Sequence, residues 1–334
     1  MNTVNRQFLL NARPVGEVKE TDLRYHEEPI PAIKAGEILV KLEYLAVEPA
    51  MRGWMEDRKS YVEPLQIGEL MRAYGVGTVL ESNKTEYPVG MRLGGMFGMQ
   101  THAVTDGSGF PLSPLNDAID FPTHLSVLAL TGLTAYCGMT AIGQPKAGDT
   151  VFVSGAAGAT GSVAGQLAKL AGCRVIGTAG SDQKCEWLTG ELGFDAAINY
   201  KTEDVAARVR ELCPGGLNIF WDNVGGEILD VALNNLAKQA RIVLCGGISR
   251  YNATGPLPGP ENYFNLIFSN ASMTGFVLSD YVHLFPEAVA ALSEYLLSGQ
   301  LKHAEDVLEG FEQTPRAIIR LFRGENTGKQ MVRV

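Results

Sequence analysis

Apolar positions fall into two textures along this chain. In the first third, short alternating runs are broken by turns. EILVKLEYLAV (37–47) and GVGTVLES (75–82) read as strands, and Pro29, Pro31, Pro49, Pro64, Pro88, Pro111, Pro114 and Pro122 punctuate the segment. Such spacing predicts a mainly β domain, for example an irregular barrel. From about residue 128 helix-period and strand-period runs alternate. LSVLALTGLTAYCGMTAIG (125–143) reads as helix. Val151, Phe152 and Val153 form a short strand, and Val163, Ala164, Leu167, Leu170 and Ala171 recur at helical spacing. Then follow a strand at 173–178, a helix at 182–192, a short strand near 196–198 and a helix at 203–212. A strand at 217–222, a helix at 226–237, a strand at 241–246 and a last strand at 271–278 complete the series. This alternation predicts an α/β fold, a doubly wound parallel sheet with helices on both faces. From about 299 the tail predicts a strand pair around LKHAEDVLEGFE before the terminal KQMVRV, returning to the first domain. The expected domains are therefore 1–127 with 299–334, and 128–298.

The most informative segment is DTVFVSGAAGATGSVAGQLAKLAG (149–172), a strand, a glycine turn and an amphipathic helix. Gly155, Gly158 and Gly161 stand at three-residue intervals. Glycines so placed let the backbone approach a pyrophosphate and aim a helix N-terminus at its charge. Gly172 suits the helix C-terminus, because glycine adopts a left-handed conformation without steric cost. A plain strand-to-helix turn explains the glycines alone. The strand CRVIGT that follows completes a βαβ unit and points to a dinucleotide.

Composition narrows the partners. The chain has 334 residues, 46% hydrophobic and 19% charged, with a net charge of −9. No basic stripe invites nucleic acid. No stretch is expected to approach the ~20 apolar residues of a membrane span. MNTVNRQFLLNARP lacks the apolar core of a signal peptide, so a cytoplasmic location is expected. Cys137, Cys173, Cys185, Cys213 and Cys245 form no CxxC pair and read as reduced, mostly buried thiols. The histidines at 26, 102, 124, 283 and 303 are scattered, and no metal site is expected.

The end of the second strand of the βαβ unit bears on which dinucleotide. An acid there holds the ribose 2′-hydroxyl of NAD. Here GTAGSDQK (177–184) places Ala179 and Gly180 in that position, with Ser181 and Lys184 after them. A hydroxyl and an ammonium suit a 2′-phosphate, so NADP is favoured. Ser181 or Asp182 could equally cap the next helix, and Lys184 could be a solvated charge. Asp182 is the contrary feature, able to reach a 2′-hydroxyl if it turned inward.

These residues resemble a family. GAAGATGSVAGQLAKLAGCRVIGTAGSDQK, FDAAINYKT (194–202), WDNVGGE (221–227) and LCGGISRYN (244–252) are similar to the zinc-independent medium-chain reductases. Among these are the prostaglandin reductases (leukotriene 12-hydroxydehydrogenases), curcumin reductases and alkenal double-bond reductases. EPAMRGWM (48–55), LTGLTAY (130–136), EGFE (309–312) and NTGKQ (326–330) extend the resemblance over most of the chain. It implies a GroES-like β domain with an inserted Rossmann-type domain, a cleft between them, a homodimer, and NADPH-dependent reduction of a carbon–carbon double bond conjugated to a carbonyl. The zinc-bearing relatives carry four clustered cysteines early in the chain, whereas the first cysteine here is Cys137.

Carried over residue by residue, the resemblance puts Ala157, Gly158, Ala159 and Thr160 against the pyrophosphate. Lys184 meets the 2′-phosphate, beside the Ser181 hydroxyl already read there, and Tyr200 lies near the adenosine end. Asn223 meets the ribose or diphosphate. Cys245, Gly246, Gly247, Ile248, Ser249 and Tyr251 form the loop beside the nicotinamide. Phe276, Val277 and Leu278 contact its amide through main chain, and Asn326 reaches the cofactor from the tail. Each also has an ordinary structural reading, as strand-end, core or loop residue.

Conjugate reduction needs hydride delivered at about 3–3.5 Å, stabilisation of charge on the carbonyl oxygen and a proton for the α-carbon. The nicotinamide-ribose hydroxyl is one candidate hydroxyl. Tyr251, on a loop at the carboxyl end of the sheet, is the best protein candidate. Six of ten methionines, Met51, Met55, Met71, Met91, Met96 and Met99, cluster near Trp54, Tyr61 and Tyr74. Adaptable methionines with aromatics predict a broad apolar cleft for bulky enones, lined by Met51, Trp54, Tyr61 and Tyr74; the expected partner is a small-molecule apolar enone or alkenal. Core filling is the competing reading. A quinone reductase of the same superfamily, or an NADPH-binding protein without turnover, are the alternative functions.

Overall fold

A computed structural model describes residues 4–334. The chain divides into two compact units, Met1–Leu125 with Glu305–Val334, and Ser126–Ala304.

In the first unit, β1 (Val4–Leu10) and β2 (Leu23–Pro29) pair antiparallel. β3 (Ile38–Ala46) is the hub of a larger sheet, pairing with β4 (Gly75–Ser82) and β6 (His102–Thr105). β5 (Arg92–Gly95) and the two-residue β7 (Ser113–Pro114) continue it beyond β4. Ile38, Val40, Leu42 and Leu45 of β3 are fully buried with Phe8, Leu10, Met51, Met55, Met71 and Met99. This confirms the expectation of two long strands at 37–47 and 75–82.

The second unit is a parallel sheet of six strands. They are β8 (Thr150–Val153), β9 (Arg174–Ala179), β10 (Ala196–Asn199), β11 (Leu217–Asp222), β12 (Leu236–Leu244) and β13 (Ser272–Gly275). The order is β10-β9-β8-β11-β12-β13, so the winding reverses between β8 and β11. Phe152 and Phe220 stack at 5.3 Å within the sheet core. This is the doubly wound Rossmann-type sheet that the alternation predicts.

The chain then re-enters the first unit. β14 (Glu305–Glu309) and β15 (Lys329–Arg333) pair parallel, and β15 lies against β3. Their link is the helix Thr314–Phe322, whose Pro315, Ala317 and Ile318 are buried. The strand pair expected around 301–312 is thus one strand there and a second at the C-terminus. TPRAIIRLF supplies the helical crossover that a parallel pair requires.

Other expectations shift. The helix expected at 226–237 ends at Leu233. Asn235 turns the chain, its carbonyl accepting the Leu217 N–H at 2.7 Å, and Leu236 already belongs to β12. The last strand stops at Gly275, and Leu278–Leu284 is a 3-10 helix. The apolar run at 125–143 is helical but changes pitch, with π turns at His124–Leu128 and Met139–Gly143 flanking Leu130–Gly138. The helical run Phe121–Gly143 spans 23 residues and is apolar enough to cross a membrane by length and composition. That corrects the expectation that no stretch approaches this length. Its most apolar window is 67% buried inside the protein, as a core helix is.

Candidate active site

The six parallel strands present their carboxyl ends on one side, and the candidate residues of the second unit follow those ends. Ala157–Thr160 come after β8, Ser181 and Lys184 after β9, Tyr200 after β10, and Asn223 after β11. The loop 245–251 comes after β12, and Phe276–Leu278 after β13. Loops at carboxyl ends beside a winding reversal are where α/β sheets bind ligands.

The glycine turn is built on backbone contact. Gly155 has a φ of +58°, in the left-handed region. A Cβ on Gly161 would stand 2.5 Å from the Gly155 carbonyl oxygen and 2.9 Å from the Ala156 Cα, so no larger side chain fits there. The Gly155 N–H donates to Thr178 Oγ1 at 3.2 Å, and Ala156 N–H to the Thr178 carbonyl at 2.8 Å, pinning the turn to β9. Gly158 precedes the helix Ala159–Leu170 without a side-chain cap. The first-turn donors therefore meet only small residues, a cradle that fits a pyrophosphate.

After β9, Ser181 caps the helix Asp182–Gly190, its hydroxyl accepting the Lys184 N–H at 3.3 Å. The capping reading thus holds for Ser181, and Lys184 sits in the first helical turn. Asp182 does not turn inward, since its Oδ1 accepts from Asn199 Nδ2 at 2.6 Å. Half-exposed Tyr200 lies over Gly180: a Cβ there would come within 2.8 Å of its hydroxyl. The position at which an NAD-binding unit has its acid is covered by an aromatic ring.

At the winding reversal, Asp222 is buried and accepts from Ser154 Oγ at 2.7 Å and from the Val224 and Gly225 N–H groups at 2.9 Å. Its Oδ2 is buried without a hydrogen-bond partner. Burial pushes the carboxyl above its ordinary pKa, against the lowering effect of those donors. Asn223 is committed within the protein. Its Nδ2 donates to the Ser154 carbonyl at 2.7 Å and its Oδ1 accepts from Trp221 Nε1 at 3.1 Å. Both polar atoms of its side chain thus help to hold this turn.

The segment after β12, expected as a loop, ends in the short helix Ile248–Tyr251 and is tied to this turn. Cys245 and Gly246 N–H donate to the Asp222 carbonyl at 2.9 and 3.0 Å. Ile248 and Ser249 N–H reach the Asn223 and Val224 carbonyls, and Ser249 Oγ donates to Val224 at 2.6 Å. The Tyr251 hydroxyl accepts the Gly247 N–H at 3.2 Å. Phe276 lies beyond β13, not in it, and packs edge-on to Trp221 at 6.2 Å. Val277 is extended, and Leu278 opens the 3-10 helix.

In the first unit the expected apolar cleft is corrected. Met51 and Trp54 belong to the hydrophobic core with Met55, Met71 and Met99, while Met91 and Met96 pack against it. Tyr74 is buried edge-on to Phe110 at 6.3 Å, and burial pushes its phenol up to about 12, against a lowering hydrogen bond with Ser113. Methionine here fills irregular core space. Tyr61 alone of the four is exposed, at 57%. Its hydroxyl accepts from Trp54 Nε1 at 3.2 Å. Asn326 is buried, with Nδ2 donating to the Gly328 carbonyl at 2.9 Å. One feature escaped sequence reasoning: buried Lys329 donates to the buried Glu48 carboxylate. Both lie in segments that carry the family resemblance, EPAMRGWM and NTGKQ, but a separation of 281 residues hides their pairing.

All five cysteines are free thiols, and burial raises Cys137, Cys173 and Cys213 to about 11. These are inert positions. Among the described residues, no group of three or more His, Cys, Asp or Glu side chains could hold a metal ion.

Residues 6–112 match the family model "N-terminal domain of oxidoreductase", and residues 159–294 match "Zinc-binding dehydrogenase". The NADPH-dependent curcumin reductase of Escherichia coli is 36% identical, covering 99% of this chain and 97% of that protein. The NADP(+)-dependent 2-alkenal reductase of Nicotiana tabacum is 37% identical over 99% of this chain and 97% of its own. The crystal structure of CurA from Vibrio vulnificus in complex with NADPH superposes with a TM-score of 0.93 at 39% identity, covering 98% of this chain and 99% of that one. With its sheet order, glycine turn and full-length likeness, the chain belongs to the medium-chain family of NADP-dependent oxidoreductases that includes the curcumin, alkenal and prostaglandin reductases.

Proposed function

We propose that this protein is an NADPH-dependent reductase of the carbon–carbon double bond of small apolar α,β-unsaturated ketones and aldehydes, working without a metal. The observation that carries this reading is the convergence of the candidate residues of the second unit on the carboxyl ends of its six strands, in a chain that matches such reductases from end to end. When bound, NADPH supplies the hydride for the β-carbon.

The chain's own residues bind, orient and move a proton. The first-turn donors of the helix Ala159–Leu170 hold the pyrophosphate, with Ala157 to Thr160 small enough for close approach. Lys184 holds the 2′-phosphate, with Ser181 beside it and Tyr200 covering the adenosine. The loop Cys245–Tyr251, braced by Asp222 and Asn223, and the main chain of Phe276 to Leu278 orient the nicotinamide end, and Asn326 adds a contact from the tail. Tyr251 uses its single phenolic hydrogen either as a hydrogen bond to the carbonyl oxygen as charge develops there, with water supplying the α-carbon proton, or as that proton itself. Tyr61 offers an exposed phenol to the substrate, anchored by the Trp54 indole.

NADPH consumption against alkenals, cyclic and aromatic enones and quinones, with product analysis, tests this. Saturated carbonyl products are expected, with turnover unchanged by a chelator. Reduction of quinones alone would favour the quinone-reductase alternative, and NADPH binding without turnover would leave a binding protein. Tyr251→Phe should lower kcat about 100-fold, and wild-type activity in that variant removes the proton-donor role.

The sheet edge is read as a dimer contact. β13 is an edge strand, and beside it Tyr263, Phe264, Ile267 and Phe268 are exposed, Phe268 at 68%. A second copy pairing edge to edge covers both the strand and the aromatic cluster. Monomeric mass by light scattering would rule this out. Five free thiols suit a reducing, cytoplasmic compartment.

A further inference from the structure

Lys329 opens β15 with only 1% of its surface exposed. Its Nζ donates to Glu48 Oε1 and lies 3.4 Å from the Val47 carbonyl. Glu48 is itself 7% exposed. A buried ion pair is a poor source of stability, because desolvation offsets most of the attraction and an apolar pair of similar volume serves the fold as well. What it supplies is direction: the two charges hold their backbones in one arrangement.

Those backbones carry two different segments of the first unit. On one side, the Glu48 carbonyl accepts the Met51 N–H at 3.1 Å, so Glu48 opens the helix Ala50–Trp54. Trp54 at the end of that helix donates to the Tyr61 hydroxyl at 3.2 Å. On the other side, Asn326 and Gly328 form the turn directly before Lys329. Asn326 Nδ2 bonds the Gly328 carbonyl at 2.9 Å, and Gly328 has a φ of +67°. The Val47 N–H donates to the Gln330 carbonyl at 3.1 Å, fastening the same two strands beside the pair.

We propose that Glu48 and Lys329 are a positioning pair, locking the Asn326 turn and the helix that carries Trp54 and Tyr61 into a single register. This rests on the reading of Asn326 as a cofactor contact and of Tyr61 as a substrate contact. Neither member touches the reacting atoms in this role. The pair sets where two contacting residues stand.

The test compares wild type with the Glu48→Met/Lys329→Met double variant, which removes both charges and keeps the volume. Melting temperature, NADPH Kd by fluorescence titration, and KM and kcat for a 2-alkenal are measured. A positioning pair predicts a melting temperature close to wild type, with NADPH Kd and alkenal KM each raised about tenfold and kcat changed less. A double variant with wild-type melting, Kd and KM overturns the proposal. If the double variant does not fold, Glu48→Gln, nearly isosteric and uncharged, is read in the same way. A folded Glu48→Gln with unchanged Kd and KM overturns it equally. The Kd needs no turnover, so a wild type that reduces no enone would end the functional reading while the Kd still decides whether the pair positions Asn326.

Discussion

The two units keep their important residues in different ways. In the second, the candidate residues follow the strands in turn, one segment after each carboxyl end, and these segments brace one another through Ser154, Asp222 and the Cys245–Ser249 backbone. In the first, the decisive contacts join distant segments: Glu48 with Lys329, and Asn5 with Gln100 and Thr101. A parallel sheet collects function at its rim by repetition. A β domain assembled from both ends of the chain collects it by closure, and closure leaves little local trace.

That contrast can be broken experimentally, starting with the glycine turn. Gly161→Val forces a side chain into the Gly155 carbonyl. It should cost about 3 kcal/mol, enough to weaken NADPH binding on the order of 100-fold in a fluorescence titration. Near-normal binding would mean that the turn is not the cradle. Met51→Ala addresses the other unit. With Met51 fully buried in the core, it should lower unfolding free energy in urea by about 3 kcal/mol while leaving the preference among enone sizes unchanged. A shifted preference would return Met51 to the substrate wall.

Lys184→Ala sharpens the cofactor reading. Losing one charge-assisted contact to a phosphate should cost about 2 kcal/mol of NADPH affinity, with NADH affinity nearly unmoved. Equal effects on both dinucleotides would make Lys184 a general surface charge. The smallest effect is expected from acid. His102 is held below its ordinary pKa by burial and then by the Lys41 and Arg6 charges. His124 is held below by burial, partly opposed by its bond to the Asn116 carbonyl. A depressed histidine binds its proton more weakly in the folded state than in the unfolded state. The first unit should therefore hold full stability above about pH 6.5 and lose it as pH falls toward the folded pKa values. Melting temperature followed down to pH 5 checks this, and a flat profile would contradict it.

Legibility in the sequence follows the same division. The strand–turn–helix at 150–170 could be read almost to the residue, because hydrophobic period and glycine spacing are local signals. The helix predicted past Leu233 overshot because its apolar spacing runs on into the first residues of β12. Tertiary pairing decided that boundary, not propensity. The methionine cluster misled because residue type cannot tell a core wall from a cleft wall. Asn223 was found by position, yet its bond to the Ser154 carbonyl, 69 residues away, is made only by the fold. The Glu48–Lys329 pair left no periodic signal, since each is a single charge at the end of an apolar run.

Tyr200 over Gly180 has a consequence for how cofactor preference could drift. An acid at 180 would bring its Cβ within 2.8 Å of the Tyr200 hydroxyl, so the ring must swing away before a carboxylate can enter. A lineage moving toward NADH by that route would have to turn or replace the Tyr200 ring as it gained an acid. Position 180 and the Tyr200 ring are thus coupled, and a change at one is felt at the other.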